Sequence, residues 1–300
     1  MLRRSPTTVA AHRPRGAYKG FLFTAPFVAG FLAVYVVPVG YAIFQSMFQI
    51  KRSGLGFGGA QNVFAGAANL IKGLADAAFW AGLGRVIVFG AVQIPVMLAL
   101  SLGMALLLDS VAARATRLFR VGFLIPYVIP GVVGTLIWLY LYSPTTSPLN
   151  VVWDFTFDRP IDAFWTIGNL LTWQGLGLNM ILIYAALQAI PPEQYEAARI
   201  DGASEWRIAW SIKVPNLRGI LVLTGMFSLI GRLQLFGEPL ILRQVGPQAI
   251  STDFAPMLMI FRTAFSQNDY GYAAALSIIL AVVTGLLAFV FYRITNRRFA

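Results

Sequence analysis

Arg232 and Glu238 both carry full charge among apolar neighbours within one run, 219–242. A charge at the centre of a bilayer costs about 2.5–3.5 kcal/mol on insertion scales, so such groups face a wet cavity or a partner. Their spacing sets them about 600° apart at roughly 100° per residue, on different faces of one helix, and they are not expected to pair. Two chemistries stay open. Either they line a polar path, or Arg232 satisfies carbonyls freed at a helix break while Glu238, beside Pro239, reaches the outer interface. The remaining reactive residue types exclude more than they offer. The single histidine, His12, lies in a basic tail and cysteine is absent, so neither a Ser-His-Asp triad nor a His or thiolate metal site can be assembled. None of the lysines at 19, 51, 72 and 213 is followed by Ser or Thr, which rules out a GxxxxGKS or GxxxxGKT phosphate loop. Asp154, Asp158 and Asp162 are evenly spaced, but Arg159 and Pro160 interrupt them and no glycine turn completes a calcium loop. The chain is expected to catalyse nothing and to hold no metal.

The third feature is the charged stretch EQYEAARIDGASEWRIAWSIKVP, residues 193–215. Pro191 and Pro192 end the preceding apolar run or start the next helix, and Glu193 and Glu196 stand at that helix's positive end. Gly202 fits a helix-ending position of positive φ. Ser204 then caps a second short helix with Glu205 in its first turn. Trp206, Ala209, Trp210 and Lys213 recur at i, i+3, i+4 and i+7, an amphipathic face that ends at Pro215. Such a helix-turn-helix suits docking into a groove of another protein, and equally a loop resting on lipid headgroups.

The elements that hold these residues are set by composition. Apolar residues make up 58% of the chain and charged ones 12%, half the share of a soluble domain, which is about 25%. Six nearly uncharged runs, 21–47, 82–108, 121–142, 167–190, 219–242 and 273–292, are each long enough to cross about 30 Å of hydrocarbon. The expected fold class is an all-α polytopic membrane protein of six transmembrane helices, preceded by a basic tail at 1–20. With the N-terminus in the cytoplasm, segments 1–20, 109–120, 191–218 and 293–300 carry fifteen Lys and Arg against five Asp and Glu, and the opposite loops carry six of each. That asymmetry sets both termini in the cytoplasm and accounts for the net charge of +11 without nucleic acid. The first run is too long for a signal-peptide core and is expected to be a retained span. Prolines at 26, 38, 95, 126, 130 and 239 fall inside the runs and predict bent helices with interior surfaces, or bends that only improve packing. Between spans, 48–81 reads as a Gly- and Ala-rich loop with a surface helix near Phe64 to Leu74. Loop 143–166 reads as an interfacial aromatic belt of Trp153, Phe155, Phe157 and Trp165.

The stretch at 193–215 resembles a known signature. Glu196-Ala197-Ala198, three residues, Gly202, nine residues, then Ile212-Lys213-Val214-Pro215 is similar to the EAA motif, EAA-x3-G-x9-I-x-L-P, of permease subunits of bacterial binding-protein-dependent ABC importers. Val214 in place of leucine is the one departure within it. FLFTAPFVAGF, FRVGFLIPYVIPG, LQLFGEPLILRQVGP and TAFSQNDYGYAAALSIIL resemble further segments of the maltose and glycerol-phosphate branch, so the likeness covers nearly the whole chain. The family's Asn-Thr early in the second span is Gly84-Arg85 here, and its GGGP after the fifth is reduced to Val245-Gly246-Pro247.

The resemblance implies the type I ABC importer permease fold in the bacterial inner membrane. It implies a second homologous permease, two ATPase subunits that hold ATP and Mg, and an extracytoplasmic solute-binding protein. No cofactor is expected on this chain itself. Carried onto this sequence, Glu196, Ala197, Ala198, Asp201, Gly202 and Ala203 form the coupling helix that docks on an ATPase. Sugars are held by aromatic stacking with amide and charged partners, which nominates Trp173, Gln174, Asn179, Arg232, Gln234 and Glu238 for the substrate path, although interfacial anchoring and helix-helix contacts explain most of them equally well. The expected cargo is a sugar or oligosaccharide. A phosphorylated polyol such as glycerol 3-phosphate is the alternative, since Arg232 suits a phosphate. An ion-coupled secondary carrier using Arg232 and Glu238 is disfavoured, because no inverted repeat is visible.

Overall fold

A computed structural model describes residues 17–52, 60–110, 116–143, 147–148, 157 and 159–297. The basic tail up to residue 16, the glycines at 54, 56, 58 and 59, and Trp153, Asp154, Phe155 and Asp158 lie outside the described residues.

The first apolar run forms α1 (Ala17–Phe31) and α2 (Val37–Ser46), joined without interruption by a π-helical turn at Leu32–Val36. That wide turn ends two residues before Pro38. A proline ring crowds the carbonyl four residues back and offers it no N–H, and a turn with i→i+5 bonds relieves the crowding.

Residues 48–64, expected as loop, contain two antiparallel strands, β1 (Phe48–Arg52) and β2 (Ala60–Phe64), with Phe48 opposite Phe64. The surface helix expected from Phe64 is therefore shorter, α3 (Ala68–Leu74), because Phe64 pairs in the strand and Gly66 turns the chain with φ 56°. Asp76 starts α4 (Ala77–Leu108) by accepting from the N–H groups of Ala78 and Phe79, and α4 runs through Pro95 as one helix.

The third apolar run, expected as one span, is a bent pair: α5 (Thr116–Val128) and α6 (Gly131–Leu141) meet at 95°. Pro130 causes the break. It disfavours helical geometry at Ile129 and itself sits at φ −52°, ψ 135° ahead of α6. Next come α7 (Pro160–Leu187), α8 (Glu193–Ile200), α9 (Glu205–Ile208) and, after a second π turn at Ala209–Lys213, α10 (Val214–Asn216). The chain ends with α11 (Arg218–Leu233), α12 (Gly237–Leu242), α13 (Pro256–Phe261) and α14 (Tyr270–Arg297).

Five stretches of the described chain are long and apolar enough to cross a membrane: Gly20–Ser46, Ala77–Leu108, Pro160–Leu187, Arg218–Leu242 and Tyr270–Thr295. The bent α5–α6 pair makes the sixth crossing, for a geometric reason. Phe89 faces Phe164 at 5.7 Å, Gln93 donates to Thr172 at 3.0 Å, and Gln188 donates to Asp109 at 2.7 Å. Residue numbers rise together on both helices, so α4 and α7 run parallel. Two parallel spans need a return crossing between them, and among the described residues only α5–α6 is available to make it.

The largest buried cluster lies where α4, α7, α13 and α14 meet, with Phe79, Leu83, Val86, Ile167, Leu171, Leu258 and Leu276 at its centre. A second cluster at the other end joins Ala105, Met180, Ile183, Leu187 and Leu217 and anchors the base of the 191–217 segment.

Candidate functional site

The segment 193–215 projects from one end of the bundle. Its first helix, α8, closes as the sequence predicts: Gly202 has φ 79°, and the Ala203 N–H reaches back to the Ala198 carbonyl at 2.9 Å, the six-to-one bond of a Schellman ending. A Cβ on Gly202 would meet nothing within 4 Å, so only the backbone angle calls for glycine here. Ser204 caps α9, accepting from the Arg207 N–H at 3.4 Å. Across the turn Arg199 donates to Glu205 at 2.8 Å, a hydrogen bond that holds the Glu205 carboxyl below its usual pKa. Glu196, Ala197, Asp201 and Gly202 are exposed, and Ala198 and Ala203 are half-buried. The six nominated coupling residues thus form one turn with a free outer face, bordered by Ile200 at 86% exposure.

The amphipathic face read from Trp206, Ala209, Trp210 and Lys213 is not the buried one. Trp206 and Trp210 are exposed with their rings 5.5 Å apart, whereas Ile208, Lys213 and Leu217 point inward. The cause is the π turn at Ala209–Lys213, which again ends two residues before a proline, Pro215. One extra residue in the turn rotates Lys213 away from the tryptophans and breaks the 3.6-residue count. Lys213 Nζ lies 2.6 Å from Asp109 Oδ2 at the end of α4, with both side chains nearly enclosed. The Lys213 ammonium also stands 5.0 Å from the ring centre of Tyr195, whose hydroxyl is buried without a hydrogen bond. Burial first, and then the Asp109 charge, push the Tyr195 pKa up.

Inside the bundle, the nominated path residues fall into separate groups. Arg232, in the last turn of α11, lays its stem against Gly90 of α4 and donates from Nε to Gln93 Oε1 at 2.8 Å. It does not turn back to the carbonyls freed at the break between α11 and α12. Met97 Sδ lies 3.8 Å from both Arg232 Nη2 and Asn179 Nδ2, which brings Asn179 to the same cluster. Gln93 in turn donates to Thr172. Trp173 and Gln174 face the other way, onto α6. There Gly134 leaves room for Gln174, and Trp138 meets Trp173 edge-on at 5.9 Å. Gln234 is exposed, and Glu238 is half-exposed in the first turn of α12 with no ion pair to Arg232.

Sequence reasoning missed Gln93, Thr172, Arg85 and the Lys213–Asp109 pair. Gln93 had a signal, because it is one of three non-apolar side chains in the run 82–108, with Arg85 and Ser101. Arg85 donates to the Phe254 carbonyl at 3.2 Å and to that of Asp253, tying α4 to the loop before α13. The ion pair had none, since its partners are far apart in sequence and meet only after parallel α4 and α7 bring the 191–217 segment to the end of α4 and the π turn rotates Lys213 inward.

Comparison with known proteins places this geometry. Over 289 residues the chain is 29% identical to the lactose transport system permease protein of Rhizobium radiobacter, covering 93% of this chain and 95% of that one. It is 29% identical to the diacetylchitobiose uptake system permease protein of Streptomyces coelicolor, covering 98% and 90%. The fold is that of a chain in the crystal structure of a bacterial ABC transporter involved in import of the acidic polysaccharide alginate, with a TM-score of 0.78 at 18% identity over 94% and 96% of the two chains. Residues 96–300, which include the EAA stretch, the α11–α12 break and the last span, match the family described as binding-protein-dependent transport system inner membrane component, and the chain is a member of that family of inner-membrane permeases.

Proposed function

We propose that this chain is one of two homologous permease subunits of an ATP-driven importer and forms half of the path for a sugar or oligosaccharide handed over by a solute-binding protein. The observation that carries the proposal is the exposed turn from Glu196 to Ala203, closed by Gly202 at φ 79° and standing at the end of the bundle. Small side chains at Ala197 and Ala198 allow close approach of another protein, and Gly202 fixes the turn. Two ATPase subunits hold ATP and Mg, and one of them engages this turn. Both termini lie in the cytoplasm with it, in keeping with the excess of Lys and Arg on that side. ATPase closure moves the turn and rocks the spans between inward- and outward-facing arrangements as rigid bodies. Arg232, Gln93 and Asn179 supply hydrogen-bonding groups at mid-bundle, with Glu238, Gln234, Trp173 and Gln174 further candidates along the path. Relatives named for lactose and diacetylchitobiose favour a sugar over a phosphorylated polyol.

The test is isolation of the chain from its native membrane and reconstitution. The expected result is co-isolation of an ATPase and uptake that requires ATP and the solute-binding protein. Uptake by this chain alone on an ion gradient would overturn the proposal. Gly202→Val, which forces a β-branched residue to positive φ at a strain of about 1–3 kcal/mol, is expected to abolish uptake and stimulated ATP hydrolysis, while Gly202→Asn retains part of both.

A further inference from the structure

We propose that Lys213, Asp109 and Gln188 form the joint through which movement of the docking segment reaches the transmembrane helices α4 and α7. The inference rests on reading 193–215 as the ATPase-docking segment. Asp109 is the C-cap of α4 and Gln188 the C-cap of α7, so two carbonyl-rich helix ends meet at one point with a carboxylate between them. An acid at the C-terminal end of a helix is unfavourable by itself, because the backbone already concentrates negative charge there. Here Lys213 brings its ammonium to 2.6 Å from Asp109 Oδ2, and Gln188 Nε2 donates to Asp109 Oδ1 at 2.7 Å. Both carboxylate oxygens are used, and one cation offsets the carboxylate and two helix ends together.

The joint is enclosed. Side-chain exposure is 7% for Lys213 and 11% for Asp109, and a charge so buried is held in place by its partner. The docking helix α8 bears on the same cation through the ring of Tyr195. The other ion pair of the segment, Arg199 with Glu205, is more exposed and stays within it, so it stiffens the turn but touches no span. A displacement of the segment therefore either carries the ends of α4 and α7 with it or breaks a buried ion pair. Those two helices hold Gln93, Met97, Thr172 and Asn179, so the displacement reaches the polar cluster around Arg232.

The test uses the assembled importer in nanodiscs, with the partner chains' cysteines replaced. Because this chain has no cysteine, Ile161→Cys and Tyr270→Cys alone carry spin labels, on exposed positions at the far ends of α7 and α14. The probe is a non-hydrolysable ATP analogue with Mg. In the parent complex the analogue shifts the label-to-label distance. Lys213→Met and Asp109→Asn are expected to keep the ATPase bound yet lose the shift, and the reversed pair Lys213→Asp with Asp109→Lys to regain it. Gln188→Leu leaves the ion pair in place and is expected to reduce the shift; it carries the test if a charge variant does not assemble. A full shift in Lys213→Met or in Gln188→Leu overturns the joint, as does a loss that the reversed pair does not restore, which marks a purely structural pair. Gly202→Val separates the two readings: a shift lost there but kept in Lys213→Met overturns the joint alone, while a shift kept in both overturns the docking reading beneath it.

Discussion

Arg232 is tolerated in an apolar span because Gln93 accepts its Nε–H at 2.8 Å while Gly90 gives its stem room. A hydrogen bond to a charged group contributes about 1.5–3 kcal/mol, comparable with the 2.5–3.5 kcal/mol that a mid-membrane charge costs on insertion scales. Thermal unfolding in detergent of Gln93→Leu, Arg232→Met and the double variant is expected to give a coupling of about 0.5–3 kcal/mol; simple additivity would mean that this contact does not hold the guanidinium. A different residue governs the other end of α4. Partial burial raises the pKa of the Asp76 carboxyl, but the hydroxyl of Tyr272 at 2.5 Å, the N–H groups of Phe79 and Ala78, and the Lys72 charge together hold it below its usual value. A carboxyl depressed in the folded state adds stability above its unfolded pKa and loses it as pH falls through its folded pKa. Asp76→Asn is therefore expected to lower the melting temperature at neutral pH, with the difference from the parent shrinking in acid below the ordinary carboxylate range. A gap that stays constant from neutral pH into strong acid would show that the cap works without its charge.

Helices fit one another through glycines as much as through apolar stripes. A Cβ on Gly177 of α7 would overlap the Phe123 carbonyl of α5, whereas one on Gly103 of α4 would meet nothing within 4 Å. Gly177→Ala is expected to cost at least about 1–3 kcal/mol by forcing α5 away, and Gly103→Ala to be neutral or stabilising, since alanine has the better helix propensity. Paired melting curves in detergent decide it, and equal behaviour would mean that α5 and α7 separate freely. What was legible in the sequence divides along the same line. The apolar runs, the Gly202 turn and the Ser204 cap depend on local chemistry, and all were readable. The 95° bend at Pro130 was not, because a proline in an apolar run is equally consistent with a mild kink. The inward turn of Lys213 was hidden by a π turn that shifts the helical count ahead of Pro215. Strands β1 and β2 flank a glycine-rich stretch too short of apolar alternation to announce them. The Arg232–Gln93 contact needed two helices whose register no single sequence prints.

At the scale of the whole molecule, the outer surface is as informative as the core. The first span, Gly20–Ser46, buries none of its most apolar window, and Phe23, Phe27, Val34 and Tyr41 stand exposed along it. Such a surface belongs against lipid or another membrane-embedded protein surface, not water. Two independent arguments bear on the side on which each loop lies. Parallel packing of α4 and α7 makes the bent pair a crossing, so Ile71 of α3 and Ile200 of α8 must lie on opposite faces of the membrane. The excess of Lys and Arg in the alternate loops supports the proposed orientation, with the Ile200 face in the cytoplasm. Both residues are exposed, at 65% and 86%, and the chain has no cysteine of its own, so Ile71→Cys and Ile200→Cys are single reporters. In intact spheroplasts a membrane-impermeant maleimide is expected to label the cysteine at 71 and to reach that at 200 only after permeabilisation. Labelling of both without permeabilisation would make the α5–α6 pair re-entrant and contradict the parallel packing. The reverse pattern would keep six crossings but invert the chain and put the 193–215 turn out of reach of any cytoplasmic ATPase. The fold and the proposed docking role thus fail under different outcomes of one labelling experiment.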